Sequence, residues 1–305
     1  MNAVAGTAAP PRPVAATGPA TGAALTSVVI VSYQTGPALQ RAVASALAQD
    51  RPVEVLLVDN GNPPETAAML AAWAAREPRL RLLTGQGNIG FGAACNLGAR
   101  AARGDALLLL NPDGELAPDA LARLRRHAAT LPSPWMIGPR ILDGAGQDQA
   151  GSRRRLLTPV SALVEALRLH RLCPGLRLNL HRTPLPARIT PVPAISGACM
   201  FLRREAYWRI GGFDEGYFLH VEDLDLCLRF RRGGGEILFA PDVVVRHLGG
   251  TSEAPKAVVE RHKARSFRRY FRQNFPGMPK LVRLALDGAI AAQLGLRMLR
   301  GRLFS

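Results

Sequence analysis

Three acids fall within four positions at Glu222, Asp223 and Asp225, inside Phe-Leu-His-Val-Glu-Asp-Leu-Asp (218–225), which runs on into apolar residues up to Phe230. Carboxylates in such surroundings are costly unless they are paired or put to use. Asp225 and Arg229 stand four apart, the spacing of an ion pair along a helix, which gives Asp225 a structural role. Glu222 and Asp223 fall where that helix would begin, a place that favours acids through the helix dipole. Two readings are open for this pair: a capped helix start, or a general base tuned by a neighbouring acid and partial desolvation. Another acid, Asp113, follows the apolar run 106–110 within Asn111-Pro112-Asp113. A carboxylate just past a buried strand can hold Mg2+ or Mn2+, which takes one or two protein carboxylates and fills its shell with phosphate and water. Such turns also cap helices. His247 follows the run 243–245 and precedes two glycines, where a histidine serves either a structural bond or a metal. The remaining histidines, His127 among them, sit in arginine-rich helical context and read as solvated surface.

These residues are positioned by alternating strands and helices from Thr26 onward. An apolar run at 27–31 ends in Ser32-Tyr33, one at 53–58 in Asp59-Asn60-Gly61-Asn62, a third spans 80–83, and the run 106–110 ends in Asn-Pro-Asp. Helical spacing follows at 38–48, 65–76 and 92–103. Continuous apolar runs, each followed by a helix, predict an α/β fold with a mostly parallel sheet. Ligands in such folds sit beyond the carboxyl ends of the strands. Polar residues at three of the four ends weigh against each being only a helix cap. A competitor stands at 85–90, where Gly-Gln-Gly-Asn-Ile-Gly is a literal G-x-G-x-x-G between a strand and a helix, with Asp113 roughly 20 residues beyond. It suggests a dinucleotide-dependent dehydrogenase. Against that, the motif follows the third strand rather than the first, and it leaves Glu222 and Asp223 unexplained. No G-x-x-x-x-G-K-[ST], G-x-S-x-G or H-E-x-x-H pattern occurs.

The 305 residues carry a net charge of +16, with 48% hydrophobic and 20% charged residues, a globular composition long enough for one large domain or two small ones. Only Lys256, Lys263 and Lys280 among the basic residues are lysine, so the arginine excess reads partly as compositional bias. Cys95, Cys173, Cys199 and Cys227 lie far apart, which excludes a disulfide scaffold or cysteine-rich zinc module and fits a reducing cytosol. Residues 1–25, dominated by Ala, Pro, Gly and Thr with Arg12 alone charged, read as a disordered tail without the pattern of a signal peptide. No apolar stretch reaches the ~18 residues of a membrane-spanning helix. Residues 151–190 hold eight arginines against Glu165, and Leu156, Val160, Leu163, Val164 and Leu167 give part of this basic insert an amphipathic helical spacing. Residues 253–305 form a basic helical extension in which 281–299 alternates apolar residues with arginine. Such a helix lies in an anionic membrane interface or packs on the domain with a solvated basic face. Nucleic acid is not an expected partner, because aromatics are only 6% and mix with basic residues only at 267–275.

Read in order, VVIVSYQTG (28–36), LLVDNGN (56–62), GNIGFGAACNLGAR (87–100), LLLLNPDGEL (107–116), SGACMFLRREA (196–206), GGFDEGYFLHVEDLDLCLR (211–229) and VVVRHLGGTS (243–252) resemble the inverting glycosyltransferases of family 2, which have the GT-A fold. Asn-Pro-Asp together with the 211–229 block is most similar to the rhamnosyltransferase branch. The resemblance covers residues 27–252, placing a GT-A domain at 26–252 with the 151–190 insert on its acceptor side. It implies Mg2+ or Mn2+ and a dTDP- or UDP-sugar donor, with dTDP-L-rhamnose favoured over UDP-hexose or galactofuranose. The implied acceptor is a glycan or polyprenyl-diphosphate-linked sugar of the cell envelope, reached from the cytoplasm at the inner face of the plasma membrane. Carried over by position, Asp59 would bond the pyrimidine base, with Ser32 and Tyr33 lining its pocket. Asn88, Gly87 and Gly90 would let the chain approach the nucleotide. Asn111 and Asp113 would face the diphosphate, Asp113 binding the metal with His247 completing its shell. Asp223 would be the base, supported by Glu222. Asn111 departs from the family's usual second metal carboxylate, which implies modest metal affinity. A non-catalytic binding protein on this fold would tolerate loss of Asp113 and Asp223.

Overall fold

A computed structural model describes residues 24–303 except Cys173 and Glu253; most of the expected disordered tail, 1–23, lies outside the described residues, as does Cys173. In chain order the elements are β1 (Thr26–Ser32), α1 (Ala38–Leu47), β2 (Val53–Asp59), α2 (Pro64–Ala74), β3 (Leu80–Leu83), α3 (Phe91–Ala101), β4 (Ala106–Leu110) and β5 (Gly114–Leu116). There follow α4 (Ala120–Ala128), β6 (Trp135–Leu142), β7 (Arg153–Arg154), α5 (Pro159–Ala166), β8 (Thr190–Pro191), β9 (Ala194–Ile195), β10 (Cys199–Arg203) and α6 (Arg204–Arg209). The last are α7 (Glu222–Arg232), β11 (Glu236–His247), α8 (Lys256–Asn274) and α9 (Lys280–Leu303).

The main sheet runs β3-β2-β1-β4-β10-β6-β11-β5, with β8 on β11. β1 to β4 pair in parallel, as do β6 and β11, whereas β10 is antiparallel to both its neighbours. Every residue of β1, β2 and β4 is buried, because helices cover both faces of this part of the sheet. Val28, Ile30, Val55 and Leu57 share one buried cluster with Leu39 and Val43 of α1 and Leu121 and Leu124 of α4, while Val29, Val31, Leu56 and Val58 share another with Ala94, Cys95 and Ala99 of α3. Truncating such a leucine to alanine costs about 2–5 kcal/mol in a close-packed core. α3 can lie this close only because it is built of small residues; a Cβ at Gly98 would stand 2.5 Å from Val29 Cγ1. Strand order reverses between β1 and β4, so the ends of these two strands open the crevice where ligands bind in folds of this kind.

α5 is shorter than the hydrophobic spacing predicts. Pro159 starts it and Thr158 closes a reciprocal cap with Ser161, which leaves Leu156 outside. Two of the insert's arginines turn inward rather than to solvent: Arg153 donates to the carbonyls of Thr183 and Pro184, and Arg154 to that of Ile195. His127 is likewise not solvated surface. Its side chain is mostly covered, with Nε2 2.9 Å from Asp242.

α8 docks on the core through Tyr270 and Phe271 and carries α9. The joint between α7 and α8 is Asp225, whose carboxylate accepts from Arg229 Nε at 2.6 Å and from Asn274 Nδ2 at 2.8 Å. Asp225→Ala is expected to cost about 3 kcal/mol, because it strands the Arg229 charge and an amide inside the joint. Denaturant unfolding would check this; an unchanged midpoint would mean the joint is held by packing alone.

Candidate active site

At the ends of β1 and β2 the sequence-predicted donor residues are knitted together. Asp59 Oδ1 accepts from the N–H groups of Gly61 (3.2 Å) and Asn62 (2.9 Å) and from Asn62 Nδ2 (2.8 Å). Asn62 Nδ2 also donates to the Ser32 carbonyl at 3.1 Å, and its Oδ1 accepts the Gln34 N–H at 2.7 Å. Among the described residues Oδ2 of Asp59 meets only Thr84 Oγ1, at 3.4 Å, and so keeps acceptor capacity. Tyr33, half-buried, follows directly. Asn60 binds this loop to the next one, accepting the Ile89 N–H and donating to Asn88 Oδ1, both at 3.1 Å; Asn88 Oδ1 also takes the Gly90 N–H.

The glycine motif does not form a dinucleotide cradle. It lies beside β3, the edge strand, away from the β1–β4 crevice. The start of α3 is also closed: the Phe91 N–H donates to the Phe218 carbonyl at 2.9 Å. Gly90 has φ 89°, and a Cβ there would come within 2.7 Å of that carbonyl oxygen. A pyrophosphate could not occupy this helix end without displacing Phe218. Gly87, at φ 64°, turns the loop.

Asn111 and Asp113 occupy the turn between β4 and β5. β5 pairs with β11 so that Gly114 stands opposite His247, bringing the histidine to the turn. Asp113 Oδ1 lies 3.1 Å from His247 Nε2, and its Oδ2 accepts from the Gly249 N–H (2.8 Å) and Thr251 Oγ1 (3.2 Å). Burial pushes the Asp113 carboxyl up, but His247 and these two donors outweigh it and hold the group below the usual range. His247 Nδ1 lies 2.8 Å from Gln149 Oε1, which orients the ring from behind. Its Nε2 lies 3.0 Å from Asn111 Nδ2 and 3.1 Å from Asp113 Oδ1. Carboxylate, imidazole and amide, with the imidazole oriented from behind, fit a divalent ion that draws its other ligands from phosphate and water. Among the described residues no group of three or more His, Cys, Asp or Glu forms a self-sufficient cage.

The remaining carboxylates open α7. His220 and Val221 both have left-handed backbones, at φ 65° and 73°. Such residues cost about 1–3 kcal/mol each, most of all when β-branched, and gather where function requires a particular turn. Beyond the turn, Asp223 Oδ2 accepts from Arg154 Nη2 at 2.5 Å and from the Gly197 N–H at 3.0 Å. Burial raises the Asp223 carboxyl, but Arg154 and these bonds bring it below the usual range. Glu222 goes the other way: burial first, then the Asp223 charge, push it up to about 8, and among the described residues its Oε2 has no hydrogen-bond partner. At neutral pH the pair therefore carries one proton, held on Glu222, with Asp223 ionised. A cavity of about 620 Å3 is lined by Glu222, Asp223 and Arg154 and also by Asn111 and His247. Ser32, Tyr33, Asp59, Gly87, Asn88, Gly90 and Asp113 are not among its lining residues.

Arg154, Gln149, His220 and Thr251 escape the sequence reading. Only Arg154 had a signal, the triplet Arg153-Arg154-Arg155, and strand alternation in β7 decides which arginine meets Asp223: Arg153 lies over the Phe239 ring instead.

Residues 27–211 match Glycosyl transferase family 2. An N-acetylglucosaminyl-diphospho-decaprenol L-rhamnosyltransferase of Mycobacterium tuberculosis is 34% identical over 247 residues, 72% of this chain and 75% of the relative. The chain belongs to glycosyltransferase family 2. Another relative of this family 2 enzyme is the rhamnosyltransferase WbbL of Escherichia coli K12, 25% identical over 225 residues, 70% of this chain and 80% of the relative. Two solved structures share its GT-A fold. A mannosyltransferase of Pyrobaculum calidifontis, in complex with GDP-Man and Mn2+, superposes with a TM-score of 0.57 at 17% identity, covering 93% of this chain and 81% of that one. GalNAc-T7 with UDP, GalNAc and Mn2+ gives 0.58 at 20% identity and covers 88% of this chain; this glycosyltransferase spans about half, 55%, of that chain.

Proposed function

We propose that the protein transfers L-rhamnose from dTDP-L-rhamnose, with inversion, to a hydroxyl of a polyprenyl-diphosphate-linked glycan of the cell envelope. One observation carries the chemistry: an ionised Asp223 and the Asn111–His247 pair line a single cavity. Asp59 Oδ2 takes the imide N–H of a pyrimidine base, a group thymine and uracil share. The choice of rhamnose is supported by the rhamnosyltransferase relatives, and dTDP is the carrier that the sequence resemblance implies for it. Asp113 and His247, with the Asn111 amide, would hold a divalent cation, Mg2+ or Mn2+. When bound, it offsets the charge developing on the leaving diphosphate. Asp223 accepts the proton of the acceptor hydroxyl as that oxygen attacks the anomeric carbon opposite the diphosphate, so one base suffices and the configuration inverts. Glu222 keeps its proton and spares the site a second negative charge.

Arg154 holds Asp223 ionised. Arg154→Gln should therefore lift the Asp223 pKa and move the acid limb of the kcat/KM profile to higher pH. A profile that merely drops in height would give Arg154 another role. The functional reading itself is tested by calorimetry with dTDP, UDP, GDP and NAD+, with and without Mg2+ or Mn2+, followed by transfer assays. Metal-dependent binding of dTDP supports it; metal-indifferent binding of NAD+ alone overturns it.

No helix among the described residues is long and apolar enough to cross a membrane. Leu281, Leu284, Leu296 and Leu299 of α9 are nonetheless 58–80% exposed, in a strongly basic segment. This supports docking of α9 on an anionic bilayer, where a polyprenyl acceptor would reside. Replacing the four leucines with serine is expected to abolish flotation with phosphatidylglycerol vesicles, and undiminished flotation would remove α9 from the interface.

A further inference from the structure

The cavity that holds Asp223 carries a second kind of chemistry farther along its lining, where Lys263, Phe267 and Phe271 of α8 meet Leu286, Ile290 and Arg297 of α9. All six lie beyond residue 211, outside the part of the chain that matches the family. α8 is fixed to the catalytic turn: Ser266 Oγ donates to the Leu219 carbonyl at 2.9 Å, and the His262 ring stacks on Phe218 at 4.3 Å. Lys263 is half-buried, and among the described residues no carboxylate comes within 4 Å of its ammonium. Burial, then the charge of Arg297, lower its pKa. Arg297 contacts Glu260 at 2.6 Å but remains 48% exposed. His220, held low by burial and by Lys263, supplies no anion either. Two cations thus share one acid at a partly desolvated wall. An ammonium kept there without a counter-ion is unfavourable until a ligand brings the anion. Apart from Gln293, the rest of that wall is apolar. A ligand that satisfies both halves carries phosphate directly next to hydrocarbon.

We propose that Lys263 and Arg297 bind the diphosphate of the lipid-linked acceptor, while Phe267, Phe271, Leu286 and Ile290 hold the start of its hydrocarbon chain, presenting the attached sugar to Asp223. The assignment rests on the proposed function and specifies how its acceptor is recognised. It also places acceptor choice in the C-terminal helices, apart from the donor machinery of the family fold.

The test uses the full chain with its donor side saturated by dTDP and Mn2+, titrated with farnesyl diphosphate, farnesol and inorganic pyrophosphate. Farnesyl diphosphate should bind more tightly than either fragment. Lys263→Gln and Arg297→Gln should each weaken it about tenfold or more, as expected for a lost charge-assisted bond. Lys263→Arg should retain it, and Ile290→Ser should weaken farnesyl diphosphate but not pyrophosphate. dTDP affinity, unchanged throughout, reports that each variant is folded. Equal farnesyl diphosphate affinity in wild type and both Gln variants would overturn the proposal, and pyrophosphate binding as tightly as farnesyl diphosphate would overturn its lipid half. Failure of the function reads differently: binding through Lys263 without any rhamnosyl transfer would sink the transferase reading of the acceptor and leave the subsite standing. Transfer with the same acceptor KM in wild type and Lys263→Gln would sink the subsite alone.

Discussion

Asp223→Asn is expected to lower sugar transfer by roughly 10²–10⁴-fold, the usual worth of general-base assistance, while metal-dependent nucleotide binding stays at wild-type strength. The amide has the shape of the carboxylate, and its oxygen can still accept from Arg154 and Gly197, which now bond Asp223 Oδ2. Basicity is what disappears. In the wild type, burial and the Asp223 charge push Glu222 up to about 8; in the variant burial, the larger cause, remains and still favours the protonated form. Removing that charge relaxes Glu222 downward, so the residual rate should rise with pH as Glu222 ionises. Single-turnover rates at saturating donor, beside a nucleotide titration, separate the possibilities. Lost nucleotide binding would make Asp223 a structural residue, and an unaffected rate would end its assignment as base.

Asp113→Ala is expected to weaken Mn2+-dependent dTDP binding by about 10–100-fold or more, the scale on which even supporting groups of a metal site matter. The alanine removes the single carboxylate of the donor set and leaves the Gly249 N–H and Thr251 hydroxyl without their acceptor. Asp113→Asn separates these effects, because an amide oxygen can still accept from both while contributing no charge. Titrating dTDP at several Mn2+ concentrations is the measurement. A metal dependence identical to wild type would leave Asp113 as a turn residue and no more.

Much of this fold can be read from local pattern. Strands buried on both faces are mostly apolar, which is why the runs at 27–31, 53–58 and 106–110 coincide with β1, β2 and β4, while 80–83 coincides with β3, an edge strand buried only at Leu80. The sheet's other half is less legible, since Cys-Met-Phe-Leu in β10 is as apolar as its neighbours yet runs antiparallel between β4 and β6. Nothing in a strand's own residues encodes its direction. The acids and His247 stood out because buried charge and strand-end histidine are locally unusual. Their partners did not: Gln149 reaches His247 across 98 positions and Arg154 reaches Asp223 across 69. Ordinary residues acquire such roles only through tertiary contact. Gly85 to Gly90 shows the converse, a well-known local pattern whose surroundings, an edge strand and a closed helix start, forbid its usual use.

The seam between Gly90 and Phe218 bears on how relatives of this enzyme can be recombined. Residue 90 must lack a side chain because a backbone oxygen 128 positions away occupies the space, and that oxygen belongs to the segment leading into Glu222 and Asp223. The loop around Gly90, transplanted from a homologue, therefore arrives without its matching surface unless the segment around 211–222 travels with it. For chimera building, these two distant stretches form one indivisible cassette.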